Sequence, residues 1–178
     1  WRSSTFAFSS SARKEKTTFR LLDSFRSAFR ERMEVTSSRT FSISSIPNKD
    51  NFLTLTIKKI KAGKVTNYLA ENLKVGDTLE VTAPSGQFYL NAEPANQKHY
   101  VMIAGGGGIT PIYSMIGTVL KFEPKSKITL LYANRNSTSI IFKEKIEQWK
   151  NEFSTQLEVK HFFSEEENPR NAIEGYIT

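Results

Sequence analysis

Residues 100–111 read YVMIAGGGGITP, an apolar run that meets four consecutive glycines. The run Tyr100–Ala104 is typical of a parallel strand covered on both faces. After Gly105–Gly108 comes a segment with apolar residues at helical spacing, namely Ile112, Met115, Ile116, Val119 and Leu120. A glycine turn between a buried strand and a helix lets a nucleotide phosphate approach the backbone at the helix N-terminus. The stretch therefore indicates a nucleotide-binding turn.

The glycine turn alone leaves a second interpretation open. Its spacing is not GxGxxG and no GK[ST] follows, so neither the strict dinucleotide fingerprint nor the ATP-type phosphate loop is supported. A tight turn that serves only packing is the alternative.

Two further strands and a helix follow the turn. Ile128–Ala133 is a second apolar run, and Leu157–Phe163 alternates as a third strand. The apolar face of the helix between them is formed by Phe142, Ile146, Trp149 and Phe153. This order predicts a parallel α/β sheet with right-handed crossovers over residues 96–178.

The part of the chain before this α/β region has a different hydrophobic pattern. Leu53–Lys58 alternates between apolar and polar residues, as in a strand with one buried face, and Thr66 occupies an N-cap position for a short helix. Thr78–Thr82 and Phe88–Leu90 read as two more strands. Residues 39–95 are therefore predicted to form a small antiparallel β domain.

Composition narrows the functional classes. The 178 residues carry a net charge of +7 and no cysteine, which excludes disulfides, Cys-ligated metal centres and a cysteine nucleophile within the chain. No apolar run approaches the roughly 18 residues of a membrane-spanning helix, and we expect a cytoplasmic protein without membrane contact. No metal site is predicted.

The basic excess lies at the start of the chain. Residues 1–39 contain nine Arg and Lys against four Asp and Glu. Residues 1–38 stay unassigned, and within them Leu22, Phe25, Phe29 and Met33 are compatible with one helical face. Nucleic-acid binding is one interpretation of the charge, but no RNP, zinc or helix-turn-helix signature accompanies it.

Four motifs occur in a diagnostic order: Arg39-Thr40-Phe41-Ser42, Gly63-Lys64-Val65-Thr66, Ala104–Pro111 and Tyr132-Ala133-Asn134-Arg135. Over residues 39–163 the chain thereby resembles the ferredoxin-NADP reductase superfamily, especially oxygenase reductase components of the phenylacetate-degradation type. The resemblance implies two domains, an antiparallel flavin-binding β-barrel (39–95) and an NAD(P)-binding α/β domain (96–178). It also implies that the chain is incomplete at both ends, because the first barrel strands and a late Cys-Gly motif are not recognisable.

The resemblance assigns flavin contacts in the first domain. Arg39 would hold a flavin phosphate, Phe41 would pack on the isoalloxazine in place of the usual Tyr, and Ser42 would lie near flavin N5 as the catalytic residue. Gly63 and Thr66 match the GxxS motif. The backbone around Lys64, Val65 and Thr66, with the Thr66 hydroxyl, would therefore bind phosphate.

The resemblance also assigns nucleotide contacts in the second domain. Gly105, Gly106, Gly107 and Gly108 match the GGxGxTP loop, with Thr110 and Pro111 on the nicotinamide side. Asn134 and Arg135 occupy the adenosine edge. Arg135 could pair with a 2′-phosphate and no acidic residue follows the strand, which favours NADPH over NADH. A solvated loop arginine is the alternative.

The implied function is an NAD(P)H-dependent flavin oxidoreductase. Electrons would pass from NADPH or NADH through FAD, in preference to FMN, to an acceptor protein such as a ferredoxin or an oxygenase component. His99 and His161 are expected to be structural. A noncatalytic flavin- or nucleotide-binding remnant is the main alternative, and a nucleic-acid-binding module is the weaker one.

Overall fold

The computed structural model describes residues 39–47, 50, 52–77, 86–166 and 172–177, together with the backbone of residues 3–8. The chain divides into two compact units, Trp1–Leu90 and Asn91–Thr178. The helical face predicted between Phe19 and Met33 and the strand predicted at Thr78–Thr82 lie outside the described residues.

In the first unit, strand β1 (Ser3–Phe8) pairs antiparallel with β2 (Leu53–Lys58). The sequence pattern leaves the β1 segment unassigned. Ile43 adds an isolated antiparallel bridge to Leu55. Thr56, predicted on an outward face, is buried instead, because its hydroxyl lies 3.0 Å from that of Ser44 and is thereby satisfied away from water.

Helix α1 (Lys64–Asn72) closes a small core in this unit. The core contains Ile43, Leu55, Ile57 and Leu69, with Phe41, Leu53, Val65 and Leu73 packed against it. Thr66 is expected as N-cap from the sequence, but Gly63 takes that position and Thr66 is the third helical residue. Phe88–Leu90, expected as a strand, forms no ladder in the described structure.

The second unit is the parallel α/β sheet that the sequence predicts. Its elements are β3 (His99–Gly105), α2 (Ile109–Phe122), β4 (Lys127–Asn134), α3 (Lys143–Glu152), β5 (Leu157–Phe163) and β6 (Ile173–Glu174). The strand order is β3-β4-β5-β6, and each neighbouring pair is parallel. The carboxyl ends of β3 and β4 therefore lie side by side.

Strand β3 is covered on one face only, which corrects the expectation of two covered faces. Met102 and Ala104 are buried, whereas Val101 and Ile103 are 61% and 60% exposed. The strands β3, β4 and β5 lie next to one another in chain order. Because successive right-handed crossovers then run on the same side, α2 and α3 lie on one face of the sheet. Tyr113 of α2 accordingly stacks against aromatic rings of the α3 segment.

A buried carboxylate fixes the amino-terminal edge of this sheet. The Glu123 side chain is fully buried and accepts hydrogen bonds from the Glu93 backbone and from the side chains of Asn96, Tyr100 and Ser126. Burial raises the pKa of the Glu123 carboxyl, but these hydrogen bonds outweigh that effect and hold the pKa below its ordinary value.

Within the described part of the chain, no helix is both long and apolar enough to cross a membrane.

Candidate functional site

The glycine turn joins β3 to α2 at the carboxyl edge of the sheet. Gly106–Gly108 form a 3-10 turn, and Gly106 has a φ of +46°, a left-handed conformation that favours glycine. Gly105 and Gly108 have conformations open to any residue, and a Cβ on either would meet nothing within 4 Å. The left-handed backbone explains a glycine at 106, whereas neither backbone conformation nor packing requires one at 105 or 108, so the turn leaves room for a ligand.

The start of α2 continues directly from the glycine turn, and the Ile109 N–H donates to the carbonyls of Gly106 and Gly107. The Thr110 hydroxyl donates to the Gly107 carbonyl over 3.2 Å, and Pro111 is the third helical residue. Pro lacks an N–H, but at this position that group would have no intrahelical acceptor. The positive end of the helix dipole at this terminus, beside the backbone of the glycine turn, suits an anion. Thr110 and Pro111 are both buried.

Tyr132 of β4, part of the fourth motif, holds the glycine turn in place, a role that the sequence does not predict. Its fully buried hydroxyl donates to the Gly106 carbonyl over 3.2 Å and accepts from the Ile141 N–H over 3.2 Å. Burial raises the pKa of Tyr132 to about 12, so the phenol stays neutral and can donate. In a trans peptide the C=O and the next N–H point in opposite directions. The contact therefore also sets the direction of the Gly107 N–H.

Asn134 ends β4 beside the turn, since Gly105 of β3 is paired with Ala133. Asn134 is 7% exposed, and its amide makes no well-formed hydrogen bond to a described residue, although it lies close enough to the Tyr132 hydroxyl to oppose the rise in the pKa of that phenol. A buried amide that is not fully hydrogen-bonded is costly in a protein. Its nitrogen and oxygen therefore have capacity left for a ligand group that donates and accepts.

Arg135 has an acidic neighbour that does not follow β4, where the sequence shows no acidic residue. The Glu165 carboxylate lies 3.5 Å from Arg135 Nε, and the Glu165 N–H donates to the Arg135 carbonyl over 2.8 Å. The Ser137 N–H donates to the Glu166 carboxylate over 2.6 Å, which lowers the pKa of Glu166. Both acids follow β5 and not β4, so the residues directly after β4 give no sign of them.

The motif Arg39–Ser42, for which the resemblance implies flavin contacts, lies beside the core of the first unit. Arg39 is exposed, whereas Phe41 and Ser42 are half-buried. Phe41 packs against the same cluster as Val65 of α1. The structure thus brings the segment Arg39–Ser42 and the start of α1 onto one core.

In the motif Gly63–Thr66, for which the resemblance implies phosphate binding, Gly63 and Thr66 approach each other closely. A Cβ on Gly63 would lie 2.4 Å from Thr66 Oγ1 and 2.5 Å from Ile60 Cγ1, so only glycine fits without a shift. Thr66 Oγ1 is buried and has no hydrogen-bond partner among the described residues. This orphaned hydroxyl, with the free N–H groups that begin a helix at Lys64, Val65 and Thr66, fits a phosphate acceptor.

The two histidines lie outside these groups. His99 begins β3, at the opposite end from Gly105, and its Nε2 is 2.9 Å from the Thr129 hydroxyl. His161 is buried beside the Tyr132 ring, and burial lowers its pKa. Among the described residues, no three His, Cys, Asp or Glu side chains come together as a metal site.

Two family models match the chain. An oxidoreductase FAD-binding domain matches residues 5–89, and an oxidoreductase NAD-binding domain matches residues 102–178. A flavohemoprotein of Candida albicans is 36% identical over 136 residues, which cover 76% of this chain and 33% of that protein. One component of the 1,2-phenylacetyl-CoA epoxidase of Escherichia coli is 34% identical over 125 residues, which cover 70% and 35%. The chain thus spans about a third of the length of these curated relatives.

Solved structures share the fold. The flavohem-like FAD/NAD-binding domain of nitric oxide dioxygenase from Vibrio cholerae superposes with a TM-score of 0.74 at 23% identity. The match covers 89% of this chain and 65% of that domain.

Proposed function

The chain belongs to the ferredoxin-NADP reductase family of FAD- and NAD-binding oxidoreductases, and we propose that it passes electrons from NADH or NADPH through FAD to a one-electron acceptor. The glycine turn is the observation that carries the proposal, because Gly105 and Gly108 are exposed at the start of α2 and neither their backbone conformation nor packing requires glycine there. Bound FAD would accept hydride as an electron pair and release the electrons singly.

The flavin site is assigned to the first domain, residues 39–95, which together with β1 forms an antiparallel β-barrel in this proposal. Arg39 binds a flavin phosphate with a fixed charge, and Phe41 offers an aromatic face to the isoalloxazine. Ser42 donates a hydrogen bond near flavin N5 and is the catalytic residue. Gly63 and the orphaned Thr66 hydroxyl, with the N–H groups at Lys64 and Val65, receive phosphate at the start of α1.

The nucleotide site is assigned to the second domain, residues 96–178. The backbone of Gly105–Gly108 and the start of α2 hold the pyrophosphate. Thr110 and Pro111 shape the nicotinamide side, while Asn134 and Arg135 receive the adenosine. The acceptor is an iron–sulfur protein or an oxygenase component, as the similarity to an epoxidase component suggests.

Anaerobic bleaching of bound flavin tests the function. The purified full chain is incubated with FAD or FMN, freed of unbound flavin and mixed with NADH or NADPH while the flavin absorbance is followed. We expect retention of FAD and loss of the oxidised-flavin band within seconds. Failure to retain either flavin contradicts the proposal, and retained flavin that stays oxidised with both nucleotides identifies a noncatalytic binding protein.

A further inference from the structure

Arg135 and Glu165 are joined by two contacts at the carboxyl edge of the second sheet. Their side chains are 3.5 Å apart, and the backbone of Glu165 donates to the carbonyl of Arg135 over 2.8 Å. The backbone hydrogen bond holds the two residues side by side, so their side chains start from neighbouring positions. The register of β4 and β5 sets this geometry, with Asn134 opposite Phe163.

NADH and NADPH differ only at the ribose 2′ position, which would lie at this edge. A 2′-hydroxyl both donates and accepts hydrogen bonds, so it suits a carboxylate or an amide. A 2′-phosphate only accepts, and it suits a guanidinium. Arg135 alone would favour NADPH, but Glu165 competes for the same guanidinium. Asn134, which is buried beside the Tyr132 hydroxyl and makes no well-formed hydrogen bond to a described residue, adds an amide donor and acceptor that match the hydroxyl of the ribose.

We propose that Glu165 is a specificity-determining residue. Its carboxylate pairs with the Arg135 guanidinium and so shifts the preference of the nucleotide site from NADPH toward NADH. This inference rests on the proposed function, because it places the adenosine of the reductant at Asn134 and Arg135. It reverses the preference that the sequence suggested, since that preference assumed no acidic residue near Arg135.

Binding of two adenosine nucleotides to the full chain with FAD tests the inference without turnover. Calorimetry compares AMP with adenosine 2′,5′-bisphosphate, which differ only by the 2′-phosphate. Glu165→Gln is expected to tighten the bisphosphate about three- to tenfold and to leave AMP within about twofold. Glu158→Gln is the matched control, because Glu158 is equally exposed on β5 (58% against 57%) and pairs with Lys160 at the far end of the strand. The control is expected to shift neither nucleotide by more than about twofold.

A double-mutant cycle separates competition from a general charge effect. In an Arg135→Ala background, the gain from Glu165→Gln should fall below about twofold, because no guanidinium is left to release. An equal gain in Glu158→Gln, a gain that persists without Arg135, or no measurable binding of either nucleotide overturns the inference. Flavin bleaching is measured separately, so a chain that shows the predicted shift but does not bleach contradicts the reductase proposal alone.

Discussion

The hydroxyl of Tyr132 donates a hydrogen bond to the carbonyl oxygen of Gly106 over 3.2 Å, from a side chain with no exposed surface. The phenol thereby connects the interior of β4 to the turn that ends β3. Because the same hydroxyl also accepts from Ile141, it joins three segments at the carboxyl edge of the sheet. The position of the glycine turn thus depends on a group outside it.

Replacement of Tyr132 by Phe should weaken both stability and nucleotide binding. The Ile141 N–H loses its acceptor in a buried position, which should lower the free energy of unfolding by about 1–3 kcal/mol. The released Gly106 carbonyl should raise the KM for NADH more than it lowers kcat. Urea unfolding and steady-state kinetics measure the two effects. Tyr176→Phe, at a side chain that is 75% exposed, is the control, and an unchanged KM in Tyr132→Phe would contradict the role given to this contact.

Gly108→Ala should show whether this glycine serves packing or ligand binding, because the two roles predict different effects on stability and on flavin reduction. Gly108 has helical φ and ψ, and its added Cβ meets no atom within 4 Å, so the free energy of unfolding should stay constant or rise by about 0.4–1 kcal/mol. The methyl group occupies the space proposed for phosphate, so NADH should bleach the flavin at least several times more slowly. Thermal unfolding and stopped-flow absorbance check this. A variant that is destabilised but reduced normally would assign the glycine to packing.

Thr66→Val should weaken FAD binding and raise the free energy of unfolding. Valine keeps the shape of threonine and removes a buried hydroxyl without a partner among the described residues, so the free energy of unfolding of the flavin-free chain should rise by about 1 kcal/mol. FAD should bind more weakly, as measured by retention on gel filtration and by calorimetry. Thr56→Val is the matched control, because that hydroxyl has a partner in Ser44. The control should lose stability and retain FAD, and the opposite pattern would refute the flavin assignment of Thr66.

The Glu123 cluster should make the second unit sensitive to acid. Hydrogen bonds depress the pKa of Glu123 in the folded state below its ordinary value of 4.5. Its contribution is therefore complete above that value and is lost as the pH falls through the folded-state pKa. Denaturant unfolding between neutral pH and about pH 3 should show a shallower decline in Glu123→Gln than in the unaltered chain. Parallel declines would show that Glu123 is not the group responsible.

The sequence predicts the nucleotide unit well because its signals are local. The apolar run Ile128–Ala133 lies within β4, and the helix predicted from Phe142 to Phe153 corresponds to α3. Each of these segments buries one continuous stripe of side chains, so its period of hydrophobicity is visible without knowledge of the partner strand. The position of the glycine turn follows from the same local pattern.

Most of the features that the sequence does not predict join distant segments, and the N-terminus of α1 is the local exception. β1 pairs with β2 about 50 residues later, and no local pattern reports that pairing. Glu165 reaches Arg135 only through the register of β4 and β5. Tyr132 resembles any apolar strand residue until its hydroxyl is placed next to Gly106. Thr66 was misplaced because Gly63, with its close approach to the threonine side chain, begins the helix three residues earlier.

The ion pair of Arg135 with Glu165 links two loops, and neither residue belongs to the hydrophobic core. A change in either loop can therefore alter the coenzyme used while the sheet beneath it stays intact. In the proposed site, loss of Glu165 would favour NADPH and loss of Arg135 would favour NADH, so natural selection would have one single-residue change for each direction. Descendants of one ancestral chain could thus differ in the coenzyme they use and keep the same fold.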